Sequence, residues 1–297
     1  MSDSPGSSWS ESCDRNLKQL DMPFFEANGI TFHFADDNGD RLPFVFQHGL
    51  GADISQPMSF FGEDHPFRLI SMDCRGHGKT VPLGDPQFLK FNSLTDDLTN
   101  LLDYLNLPKV VIGGISMGAG VALNFAVRHP ERTRGLILSR VSWLTEPLPP
   151  NLTLFPKIAG LIRDHGAHQA KELFASTVEY QTALQSSPAN AASWMLQFLR
   201  ERADETFEIL ESIPNDVPTP DIASWRKIDL PTLILANGND PQHPFEYGQV
   251  LAREIPGARF AEITAKAISG QKHVEDVRRE ILRFFGGDLA SSEEEKK

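Results

Sequence analysis

The chain has 297 residues, 40% apolar and 23% charged, a balance that suits one large globular domain or a core with an inserted second unit. Its 28 basic and 40 acidic residues give a net charge of −12, and no Lys/Arg cluster stands out, so nucleic acid is not an expected partner. No stretch approaches the roughly 20 apolar residues that a membrane span needs, and the polar N-terminal segment lacks the apolar run of a secretory signal, so no membrane association is expected.

Residues 1–22 are Ser-rich and polar and read as a disordered tail, as do residues 287–297. The two cysteines, Cys13 in that tail and Cys74 in a predicted loop, suggest no structural disulfide; the expected setting is a reducing cytoplasm. "LPFVFQHG" and "FRLISMDCRG" are short apolar runs ending in Gly-containing loops. Leu94, Leu98, Leu101, Leu102 and Leu105 then fall at helical spacing, with Ser93 as the expected N-cap and Pro108 as the stop. "KVVIGGIS" reads as a strand, "MGAGVALNFAVRHP" as a helix and "RGLILS" as a strand. After an interruption come a strand in "LPTLILAN", a helix through "YGQVLAREI", a strand in "ARFAEI" and a last amphipathic helix from about His273 to Phe285. Continuously apolar strands alternating with helices predict the α/β class: a mostly parallel central sheet flanked by helices on both faces.

The interruption, residues 145–221, is helical by pattern. Ser187 and Pro188 open one helix, with Trp194, Leu196, Phe198 and Leu199 as its apolar content. It is far longer than a crossover needs, so it is expected to be an inserted helical cap over a site at the strand ends. The expected core is then 23–144 together with 222–286.

Gly114-Ile115-Ser116-Met117-Gly118 fits G-x-S-x-G between a strand and a helix. In such a turn the residues two before and two after the serine press on each other and must lack bulk, while Gly113, Ala119 and Gly120 let the helix lie close to the sheet. The helix N-terminus supplies partial positive charge where an oxyanion would form. In "FQHGLGAD" the Leu50 N–H follows a strand and can face the same site as the Met117 N–H, so the two are the candidate oxyanion hole. His48 is expected to be structural.

Together "HGLG", "MDCRGHGKT" and "GISMGAG" resemble the α/β-hydrolase fold family, over about residues 23–286 apart from the cap. Thr80 and Cys74 depart from the usual residues of the second segment. The resemblance implies loop-bracing roles for Asp73, Arg75 and His77, and a Ser nucleophile followed in chain order by an acid and a base histidine. Ser116 is the candidate nucleophile. Asp240, in the turn after "LILA", is the candidate acid; the alternative after the preceding strand offers no carboxylate before Glu146. His273, after the last strand, is the candidate base in preference to His243, which follows Asp240 by only three residues. One departure stands out: "SGQKH" interposes Gln271 and Lys272 where many members place Gly directly before the histidine.

The expected function is hydrolysis of a small carboxylic ester or lactone through an acyl-enzyme. Thioester and carbon–carbon bond hydrolysis, or a small-molecule receptor on the same scaffold, are the alternatives. No metal or organic cofactor is implied. Arg140 and Trp143 after the sixth predicted strand, with Phe155, Trp194 and Phe198 of the cap, are candidate substrate contacts. Arg140 is suited either to grip a substrate carboxylate or to form an ion pair. The sequence carries no signal of oligomeric state.

Overall fold

The computed structural model describes residues 22–62 and 64–289, so Cys13 and nearly all of both expected tails lie outside the described residues. The described residues begin with two strands that the apolar runs did not announce, β1 (Phe24–Ala27) and β2 (Ile30–Asp36), paired antiparallel. Asn28 and Gly29 between them both adopt positive φ, 52° and 75°. That is the turn an Asn-Gly pair favours, because its twist matches the twist of the strands it joins; the dipeptide was the available signal.

Next come β3 (Leu42–Gln47), the short helix α1 (Ser55–Met58) and β4 (Phe67–Met72). They are followed by α2 (Phe91–Tyr104), β5 (Val110–Ile115), α3 (Met117–Arg128) and β6 (Thr133–Ser139). Between β6 and β7 (Thr232–Ala236) lie the helices α4 (Leu154–Ala175), α5 (Val178–Ser186), α6 (Pro188–Leu196), α7 (Glu208–Ser212) and α8 (Ile222–Trp225). The chain then adds α9 (Phe245–Glu254), β8 (Arg259–Glu262) and α10 (Gly270–Gly286). The sheet runs β1-β2-β4-β3-β5-β6-β7-β8, parallel from β4 through β8, with β1 and β2 antiparallel at one edge.

Burial explains this arrangement. β5 and β7 are buried at every position, as strands covered on both faces must be. On one face the sheet packs against α2, α3 and α9 and is continuous with the apolar interior of α4 and α6. On the other it meets α1 and α10 through Phe44, Phe46, Phe60, Phe61, Phe67 and Phe284, each such side chain stabilising the fold by about 1.5–3 kcal/mol.

Two helix starts differ from expectation. α2 begins two residues before Ser93, and its first amide, Phe91 N–H, donates to the Asp216 carboxylate at 2.7 Å, so the cap is tertiary rather than local. α10 begins at Gly270, with the Ser269 hydroxyl accepting from Lys272 N–H, so His273 lies inside the first turn and not in a loop.

Candidate active site

Strand β5 delivers Ser116 to the C-terminal edge of the sheet, where it is half-buried with φ 56° and ψ −111°. A non-glycine residue held there is strained by about 1–3 kcal/mol and persists only where its surroundings impose it. They do so sterically. A Cβ on Gly114 would run into the Gly118 backbone, and one on Gly118 into the Gln47 carbonyl. Gly113 and Gly120 are tight for reasons other than the expected one. Gly113 faces Ile137 on β6 and Phe46, and Gly120 faces Phe91 on α2 and Pro218.

The "HGLG" turn stands directly beside the serine: a Cβ on Gly49 would lie 3.6 Å from Ser116 Cβ. Gln56 fixes this turn by accepting the Gly49 N–H at 2.8 Å. Among the bonds of the described residues, neither the Leu50 N–H nor the Met117 N–H has a protein acceptor. His48 is structural: its Nε2 accepts the Cys74 N–H at 3.0 Å and its Nδ1 donates to the Gly49 carbonyl at 2.9 Å. Asp73 accepts Ile54 N–H and Lys79 N–H and pairs with His33, while Arg75 pairs with Asp97, so both brace loops. The His77 Nδ1 in turn bonds the Arg75 carbonyl at 2.9 Å.

The Ser116 hydroxyl lies 3.0 Å from the hydroxyl of Ser142, a residue the sequence reading did not single out. Ser142 in turn donates to the Gln242 carbonyl at 3.2 Å. Each hydroxyl has one proton; with that of Ser142 committed to Gln242, the Ser116 proton is the one shared between the two serines. Asn151 Nδ2 donates to the same Gln242 carbonyl at 2.9 Å and ties the cap-side loop to this point.

Asp240 and His273 reach the same rim but are not bonded to each other. Arg140 Nε and Nη2 donate to Asp240 Oδ2 at 2.9 and 2.6 Å, and His243 Nδ1 lies 3.0 Å from both carboxylate oxygens. Burial opposes ionisation of Asp240, but His243 and Arg140 outweigh it and hold the carboxyl well below the usual range. Burial, with the Arg140 charge, lowers the pKa of His243, so His243 acts as a neutral donor to the carboxylate. The expected Asp240–His273 contact is therefore corrected. The carboxylate is occupied by Arg140 and His243, because the turn after β7 folds His243 back onto it. His273, buried on the inner face of α10, instead donates from Nδ1 to the Thr264 carbonyl at 2.8 Å. Its Nε2 is buried without a protein partner. Burial first, and then the nearby Arg140 and Lys266 cations, lower its pKa to about 3.

The candidate substrate contacts divide in two. Arg140 is committed to Asp240, which makes it an ion-pair residue rather than a free carboxylate grip. Trp143 packs edge-on against Phe91 with ring centroids 5.2 Å apart, and Phe198 packs on Phe174 at 5.3 Å. Phe155 is likewise buried in the interior of the helical segment. The indole N–H groups of Trp143 and Trp194 are buried donors without a protein acceptor. Among the described residues no group of three His, Cys, Asp or Glu gathers closely enough to hold a metal ion, and no helix is long and apolar enough to cross a membrane.

A strained serine between a parallel strand and a helix, with free amides beside it, defines the architecture of a nucleophile-elbow hydrolase. The chain belongs to the alpha/beta hydrolase fold family, whose profile matches residues 43–267. It is 25% identical to 3-oxoadipate enol-lactonase 2 of Acinetobacter baylyi, over 84% of this chain and 92% of that protein. It is 28% identical to a 2-hydroxy-6-oxononadienedioate/2-hydroxy-6-oxononatrienedioate hydrolase 2 of Pseudomonas putida, over 86% of this chain and 92% of that one. The enol-lactonase structure from Burkholderia xenovorans LB400 superposes with a TM-score of 0.68 at 22% identity, covering 89% of this chain and all of that one; at that identity the likeness concerns the fold. The relatives named here are hydrolases, and the family is one of enzymes.

Proposed function

We propose that the protein is a serine hydrolase of a small carboxylic ester or lactone. The observation that carries this reading is Ser116 itself, held at φ 56° next to two amide donors that no protein group uses. Ser116 Oγ attacks the carbonyl carbon, and the Leu50 and Met117 N–H groups receive the developing oxyanion, each such donor being worth roughly 10²–10³ in rate. His273 takes the serine proton on Nε2, the nitrogen left bare by its Nδ1 bond to Thr264. It returns that proton to the leaving alcohol, and a water activated the same way releases the acid. The Thr264 carbonyl does the orienting, and Asp240 acts on His273 through space. Residues 145–221 form the cap that encloses the substrate, a small molecule met in a reducing cytoplasm.

A second reading, a small-molecule receptor, is favoured by one fact: among the described residues the Ser116 hydroxyl bonds to Ser142 and to no histidine. Incubation with short-chain aryl esters, simple lactones and a fluorophosphonate probe separates the two. The hydrolase reading expects labelling and turnover that vanish in Ser116→Ala. Wild-type protein that neither labels nor turns over overturns it in favour of the receptor.

A further inference from the structure

Ser142 touches the nucleophile, and backbone bonds fix where it stands. Ser116 N–H donates to the Ser139 carbonyl at 2.9 Å, so the elbow is joined to the end of β6. Arg140, at φ 52°, turns the chain out of that strand, and its N–H is held by the Leu235 carbonyl of β7 at 2.8 Å. Two residues further on, Ser142 is fully buried with its hydroxyl 3.0 Å from Ser116 Oγ.

That hydroxyl has two neighbours: it donates to the Gln242 carbonyl at 3.2 Å and accepts from Ser116. A hydroxyl has one proton to give. While the Ser116 proton is given to Ser142 it is withheld from His273 Nε2, which is buried without a protein partner. Ser142 is no substitute base. A neutral hydroxyl that took a second proton would become an oxonium ion, and its onward partner is a carbonyl oxygen, which is no better a base. The bond therefore orients the nucleophile without activating it. The helical segment fixes its far end. Asn151, in the turn Pro150–Leu152 ahead of α4, donates from Nδ2 to the Ser142 carbonyl at 3.0 Å and to the Gln242 carbonyl at 2.9 Å.

We propose that Ser142 is a positioning residue that holds Ser116 in a resting state, competing with His273 for its proton. This rests on the hydrolase reading and adds the step that precedes attack. In the free protein the Ser116 proton lies toward Ser142. As the Oγ–C bond to the substrate carbonyl forms, that proton passes to His273 Nε2. The carbonyl π pair moves onto the oxygen facing the Leu50 and Met117 amides, and Ser142 keeps its own proton on Gln242. The bond to Ser142 belongs to the ground state and is gone in the transition state, so it slows attack and its removal speeds it.

The test is the second-order rate of fluorophosphonate labelling of the full chain, followed across the neutral pH range, for wild type, Ser142→Ala and Ser142→Thr. Ser142→Ala, which has no acceptor, is expected to label about 3- to 10-fold faster than wild type, the span that one net hydrogen bond allows. The midpoint of its pH profile should not move, because the His273 bond to Thr264 is left intact. Ser142→Thr keeps the hydroxyl and should stay within about 2-fold of wild type. Loss of a merely structural contact would slow labelling instead. Ser142→Cys, whose thiol is a weak acceptor, gives the same reading should the alanine variant not fold: faster labelling supports the proposal, and a rate at or below wild type overturns it. A crystal structure of Ser142→Ala should show Ser116 Oγ turned away from the substituted position and bonded to His273 Nε2. An alanine variant that labels no faster than wild type, or an Oγ that stays in place, overturns the proposal. Labelling of wild type without a gain in Ser142→Ala removes the resting-state role alone; no labelling of wild type or of any variant removes the hydrolase reading with it.

Discussion

Arg140 and Asp240, 100 residues apart in sequence, meet at 2.6 Å at the adjoining ends of β6 and β7, both nearly buried. Removing one partner of such a pair strands the other charge, at a cost of about 3–5 kcal/mol, whereas removing both is far cheaper. Asp240→Ala should therefore destabilise the protein by that amount, and Arg140→Met/Asp240→Ala should recover most of the loss. Urea denaturation of the two variants measures this; a double variant no better than the single would show that the pair is not the cause.

Ser116→Ala should lower kcat on the order of 10⁴–10⁶-fold on any ester the protein turns over. Ser116→Gly should be equally inactive yet more stable, by about 1 kcal/mol, because glycine accepts φ 56° without strain. Thermal unfolding of wild type, Ser116→Ala and Ser116→Gly checks the order, and a glycine variant that melts below the alanine variant would contradict it.

At Gly118 a methyl group would meet the Gln47 carbonyl, part of the backbone of β3. Gly118→Ala is expected to destabilise by about 1–3 kcal/mol and to abolish labelling of Ser116. Retention of full labelling would mean that the elbow yields more readily than its packing implies.

The two histidines can be ranked kinetically. His273→Ala should lower kcat far more than His243→Ala, which acts by loosening Asp240. If His243→Ala proves the more damaging, the proton acceptor is the His243–Asp240 pair and not His273.

The pH dependence of stability has a definite sign. His273 titrates at about 3 in the folded chain and at 6.5 when free, so between these values the unfolded state binds the extra proton. Stability is full above about 6.5 and falls as pH drops toward 3. Melting temperatures at pH 7 and pH 5 should therefore differ less in His273→Gln than in wild type. His77 and His243, also depressed by burial, keep the remaining difference.

The buried strands and the elbow were legible because each obeys a local rule: apolar runs for strands covered on both faces, and missing side chains where backbones touch. The β1–β2 hairpin had its signal in Asn28-Gly29, which a reading of apolar runs passes over. The partners of Asp240 were not. Arg140 reaches Asp240 only when β6 and β7 are laid side by side, and no spacing within one segment encodes that adjacency; His243, three residues after Asp240, was in view but was weighed only as an alternative base. His273 illustrates the same limit: its position near the chain's end was readable, but not the start of α10 at Gly270, which turns its Nδ1 toward Thr264 instead of a carboxylate.

Besides Asn151 on the Gln242 carbonyl, the polar bonds that fasten the helical segment between β6 and β7 to the rest of the molecule include Asp216 on the first amide of α2, Pro218 O on Asn124 Nδ2, and Arg202 Nη1 on Thr80 O. Grafting a foreign segment in its place would orphan the start of α2 and the carbonyl of Thr80 at once, and would leave the Asn124 amide with Asn92 alone. The two parts are therefore not interchangeable modules, and a chimera aimed at new selectivity has to bring an acceptor for Phe91 with it.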